Sequence, residues 1–157
     1  MLDRLLPRRV DNTYRGHKLA LWLFGLLLFM KAAISVNSIL NGYTVAQSAD
    51  GIPLDTFTPG GARTVVSLFG LLGISQLIFC LLGILILVRY RALIPFMFAL
   101  LLLEHLSRRL FLQLMPTVRT GKPPGPAINL GLLAVMIVGL ALSLWDRADL
   151  QAAEGQS

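Results

Sequence analysis

The stretch ALIPFMFALLLLEHLSRRLFLQLM, residues 92–115, decides how this chain folds. Its first twelve residues are apolar, and Glu104, His105, Arg108 and Arg109 then follow within six positions. A helix that crosses a bilayer needs about 20 mostly apolar residues. Read as a crossing, the stretch completes a set of four. Read as a dip that turns back at Glu104, it leaves residues 104–115 on the inner surface and puts the C-terminus outside. The apolar run resumes at residues 110–115, and arginines near a helix end can extend their stems toward the interface. Four crossings are therefore expected.

The rest of the chain supplies the other three. Residues 19–40, 64–88 and 127–145 are long apolar runs, and the last two carry no charge at all. Backbone amides in lipid must be satisfied within their own segment, so each run is expected to be helical. Composition agrees. Of the 157 residues 55% are hydrophobic and 14% charged, against about a quarter charged in soluble domains, which excludes an ordinary soluble fold. The length allows a single domain. The expected fold is an all-α integral membrane four-helix bundle with both ends in the cytoplasm.

Orientation follows from basic residues. With the N-terminus inside, Arg4, Arg8, Arg9, Arg15, Lys18, Arg89, Arg91 and Arg147 are cytoplasmic, while Arg63, Arg119 and Lys122 are external. That asymmetry obeys the positive-inside rule, and Trp22, Tyr90, Trp145 and Tyr43 fall at interfaces as aromatic anchors. The net charge of +6 thus reads as a topology signal facing anionic lipid, and no nucleic-acid partner is expected. The expected location is a bacterial inner membrane. A cleavable leader is the competing reading of the N-terminus, disfavoured by its long basic region and by Lys31 at the polar break.

The connections carry their own signals. Arg89-Tyr90-Arg91 leaves almost no loop, so the second and third helices should be antiparallel neighbours. Pro95 falls in a first helical turn, where a missing N–H costs little. Asp50-Gly51 and Pro59-Gly60-Gly61 read as turns in an irregular outer loop. The prolines at 116, 123, 124 and 126 should stiffen the last connection. Gly73, Gln76, Cys80 and Gly83 share one side of the second helix, and Gly131, Ala134 and Ala141 one side of the fourth. Both stripes read as packing seams.

The chemistry lies in a polar cluster. Lys31, Gln76 and Glu104 each sit twelve residues into their helices from the inner ends, so at 1.5 Å per residue all three lie about 18 Å deep. A lone charge at that depth costs several kcal/mol, so Lys31 and Glu104 are expected to pair, with Gln76 near. Lys31, Ser35 and Ser38 share one side of the first helix. Glu104 and Arg108 are one turn apart, as are His105 and Arg109. Together these four cover an arc of about 140° at 100° per residue, too wide for one partner helix. With His105 neutral, Lys31, Glu104, Arg108 and Arg109 leave two positive charges in excess.

The expected function is binding of a lipid-like or anionic amphiphile, or service as an accessory subunit of a membrane complex, at Lys31, Gln76, Glu104, His105, Arg108 and Arg109. The alternative is a small membrane enzyme or proton-coupled transporter that uses the same Lys/Glu/His/Arg cluster. A single cysteine offers neither a disulfide nor a paired-thiol redox centre. Adjacent Glu104 and His105 point about 100° apart, so a metal site is not expected, and the cofactor stays unknown. Nor is there a phosphate-cradling glycine loop or a nucleophile with an evident base. Expected partners are membrane lipid and either another membrane protein or a second copy. Asp50 and Asp55 read as solvated turn residues.

Overall fold

The computed structural model describes residues 12, 14 and 16–145. The basic collar at Arg4, Arg8, Arg9 and Arg15, together with Arg147 and the rest of the C-terminal tail, lies outside the described residues. All regular structure among the described residues is helical. Four long helices are present: α1 (Lys18–Leu40), α2 (Pro59–Arg89), α3 (Ile94–Leu114) and α4 (Gly125–Leu144). Helices α1, α2 and α4 are long and apolar enough to cross a membrane, the mark of a membrane protein. Helix α3 is 21 residues long, but its run of charged residues keeps it out of that set.

Local chemistry fixes the helix ends. The His17 ring accepts the Leu19 amide at the start of α1, 3.1 Å away. Helix α2 begins five residues before the expected position. Pro59-Gly60-Gly61 is its first turn rather than loop, with the Thr58 hydroxyl accepting from Gly61 N at 3.2 Å and Pro59 at the first helical position. Proline suits that place because its missing N–H would have had no partner there. Between α2 and α3 lies only the short turn Arg91–Leu93. Hydroxyls inside the helices bond back to their own backbone: Ser35 to Lys31 O at 2.7 Å, Ser75 to Leu71 O at 3.0 Å, Ser143 to Leu140 O at 2.7 Å. Each hydroxyl is thereby paired within its own helix.

Helix α1 is central, packed along both α2 and α4, while α3 leans mainly on α4 and meets α1 and α2 at few points. Gly83 of α2 abuts Leu28, and Gly73 abuts Ser35 and Ser38, so α1 and α2 run antiparallel in close contact. Gly139 of α4 lies against the Phe98 ring of α3 in the same antiparallel sense. The start of α1 and the end of α4 are joined by His17 N donating to Leu142 O at 3.2 Å. This is the near end of the bundle. The apolar core fills the near half: Phe24, Leu27, Leu28, Ile86, Ile94, Met97, Phe98, Leu101, Leu132 and Met136 are buried there. Phe24 and Phe98 meet as a tilted pair, centroids 5.0 Å apart.

The two small-residue stripes have opposite fates. Gly73, Gln76, Cys80 and Gly83 are buried, facing inward as expected. Gly131, Ala134 and Ala141 are exposed, and nothing lies within 4 Å of a Cβ placed on Gly131. Helix α4 packs instead through Leu132, Met136, Gly139 and Ser143.

At the far end the two connections are tied together. The chain after α1 makes a helical turn (Gly42–Thr44) and a wider turn (Val45–Ala49), burying Val45, Ala46 and Leu54. Gly51 then takes φ 72°, and its carbonyl accepts from both the amide and the hydroxyl of Thr120, at 2.8 and 3.2 Å. The loop lies so flush that a Cβ on Gly125 would sit 2.8 Å from Asp50 Oδ1. Burial pushes the Asp50 carboxyl above the ordinary carboxylate range, against the opposing pull of Arg119 and Arg108. A raised folded-state value means the docked loop binds this proton more tightly than the free loop does. Docking should therefore strengthen as pH falls into the carboxylate range and weaken as pH rises out of it. Hydrogen-exchange protection of the Thr120 amide, corrected for intrinsic rate, is expected to follow that direction, and Asp50→Asn to flatten it. An unchanged profile in that variant would remove Asp50 as the cause. Asp55, by contrast, is an exposed acceptor for Tyr43 at 2.8 Å and Gln47 at 2.6 Å. The bond to Asp55, first among the causes, raises the Tyr43 phenol above its ordinary value.

Candidate functional site

Just beyond the apolar core the interior turns polar. Lys31 is 5% exposed on α1, and its Nζ donates to Glu104 Oε2 of α3 at 3.2 Å. The other carboxylate oxygen, Oε1, accepts from Arg108 Nη2 one turn along α3. Both oxygens of Glu104 are thus engaged by cations, one buried and one half exposed. Lys31 and Glu104 meet as their shared depth predicts, 73 residues apart in sequence.

Gln76 is 8% exposed on α2, its buried amide beside the Cys80 thiol. Cys80, one turn nearer the core, is within electrostatic reach of both Lys31 and Glu104, which places this part of α2 beside the pair. His105 is buried on α3, within electrostatic reach of Lys31, Glu104, Arg108 and Arg109. Of the six residues expected at the site, Lys31, Glu104 and Arg108 are in contact, and Gln76 and His105 stand at their side.

Arg109 is separated from them. It faces an open groove of about 450 Å³ along the outer side of α3, lined by Leu103, Leu106, Ser107, Arg109, Leu110 and Gln113. No acidic partner is present for it among the described residues. The wide polar arc of α3 is therefore divided: Glu104 and Arg108 turn toward α1, His105 inward, Arg109 outward. The buried face of α3 (Ile94, Met97, Phe98, Leu101, His105) ends at His105. Beyond it Arg108, Arg109 and Phe111 are exposed, so the far half of α3 stands away from its neighbours.

Two neighbours escaped the sequence reading. Asp50 approaches Arg108 and Arg119 closely enough to interact with both, extending the alternation of charges from mid-depth to the far loop. Loop docking brings it there, and an irregular segment has no periodicity to announce that. Cys80 reads from the sequence as a seam residue and a lone thiol, not as a neighbour of the ion pair. No protein-family model, curated protein or solved structure matches the chain.

Proposed function

We propose that this protein is a four-helix integral membrane bundle, both ends cytoplasmic, in a bacterial inner membrane, and that the far half of α3 binds an anionic amphiphile. The observation that carries the reading is a charge surplus beside apolar surface. Glu104 is fully engaged by Lys31 and Arg108, while Arg109 has no acidic partner among the described residues and borders a groove lined by exposed leucines. An arginine presents a planar fork of donors that fits a phosphate or carboxylate. Leucines beside it suit an acyl chain. A crossing by α3 is supported by its 21 residues, about 31 Å at 1.5 Å each, and by Glu104, whose charge is neutralised from two sides. A C-terminal reporter fusion tests that crossing, and a signal from outside would refute it.

Replacing Arg108 and Arg109 together by Gln tests the binding. Charge-assisted hydrogen bonds contribute about 1.5–3 kcal/mol each, so anionic lipid retained through purification from native membrane should fall roughly tenfold or more. Mass spectrometry of the extracted lipid reads this directly, with zwitterionic lipid as the internal control. Equal retention by variant and parent would overturn the assignment.

A further inference from the structure

The open face of α3 stops at half depth. Residues 94–102 include no exposed position, whereas Leu103, Leu106, Ser107, Arg109, Leu110 and Gln113 are all exposed and line the groove. From Leu103 to Gln113 the helix rises about 15 Å at 1.5 Å per residue. That is half of a hydrocarbon core of about 30 Å. A partner helix crossing the bilayer would meet this face along only half its length. A lipid occupies one leaflet, and the open face is one leaflet deep.

The groove also has two unlike rims. Arg109 and Gln113 stand one turn apart and, at 100° per residue, about 40° apart around α3, so they share a rim. Leu103, Leu106 and Leu110 lie between that rim and Ser107. Helical side chains lean toward the N-terminus, which here carries the Gln113 amide back over the turn of Arg109. Neither side chain has a hydrogen-bond or ion-pair partner among the described residues. A phosphate on the Arg109 guanidinium would therefore have an unused amide beside it. An amide both donates and accepts, as a hydroxyl does, so the two are matched. An ammonium is not, because Arg108, Arg119 and Lys122 are exposed at the same end and would repel it.

We propose that Gln113 reads the head group, so that the preferred ligand is a phosphodiester lipid whose head is neutral and hydroxylated. The phosphate sits on Arg109, a head-group hydroxyl on the Gln113 amide, and an acyl chain along the leucines. This rests on the amphiphile reading above and narrows its head-group chemistry.

The test uses the full chain in nanodiscs of phosphatidylcholine, with phosphatidylglycerol and phosphatidylethanol of the same acyl chains as probes in a native mass-spectrometry titration. Both probes carry the same single negative charge, and only the first has hydroxyls on its head. The wild-type protein should bind phosphatidylglycerol about fivefold more tightly, the worth of one net hydrogen bond of about 1 kcal/mol. Gln113→Leu should lower phosphatidylglycerol affinity to that of phosphatidylethanol and leave phosphatidylethanol unchanged. Arg109→Gln should weaken both alike. Equal wild-type affinity for the two probes overturns the proposal, and that comparison needs no variant to fold. An equal loss of both probes in Gln113→Leu also overturns it, placing the amide on the phosphate itself. Should neither probe bind better than phosphatidylcholine, the amphiphile reading itself fails, a distinct outcome; a dimer in the same spectra would then assign the face to a second copy.

Discussion

Glu104→Gln should be among the most damaging single substitutions in the chain, because it strands Lys31. The lysine side chain is 6% exposed and the glutamate 19%, so neither can turn to bulk water without moving a helix. Removing one partner of a buried pair costs about 3–5 kcal/mol, far more than the pair itself need contribute, since the charge left behind has already lost its hydration. The expected result is a large drop in thermal stability in detergent. Lys31→Met alone should also destabilise, leaving Glu104 with Arg108. The double variant should recover most of the loss, because Arg108 is about half exposed and can find a new anion or the interface. A double variant no better than the sum of the two singles would show that the pair is not the reason.

Gly73→Leu is the second. A Cβ at this position would lie 2.9 Å from the Ser35 carbonyl oxygen and 2.9 Å from Ile39 Cγ1. The first of these is helix backbone and cannot rotate away, so α1 and α2 would have to separate at the level of the polar cluster. Overpacking of this kind costs about 1–3 kcal/mol, and here it also opens the seam that covers Gln76. Gly131→Leu makes the matched control. It adds the same atoms to a membrane helix, but nothing stands within 4 Å, and leucine is a better helix former than glycine, which costs roughly 0.8–1 kcal/mol relative to alanine. Unfolding midpoints should fall for the first and hold or rise for the second; similar losses in both would refute the close contact at Gly73.

These two sites also show what the sequence discloses. Helices were legible because an apolar run of 20 residues has few alternatives in lipid. The Lys31–Glu104 contact was legible because an unpaired charge at that depth is too costly to leave alone, and depth can be counted along a helix. Seam identity was not. Gly73 and Gly131 look alike in a helical projection, yet one touches α1 and the other touches nothing, since a stripe of small residues permits close approach without saying whose. The start of α2 was misread because Thr58-Pro59-Gly60-Gly61 carries turn residues that also make a good helix cap. The splitting of Arg108 from Arg109 could be inferred only as an arc too wide for one neighbour. Asp50 reached the site through loop docking, which leaves no periodic trace.

The 73 residues that separate Lys31 from Glu104 also set a schedule. At about 5–20 residues per second, a ribosome makes the lysine roughly 4–15 seconds before the glutamate that neutralises it. For a protein threaded into the bilayer as it is made, α1 must wait through that interval with an unmatched cation. Its shelter in the meantime has to come from the insertion machinery or from lipid head groups. The finished molecule carries no sign of that delay.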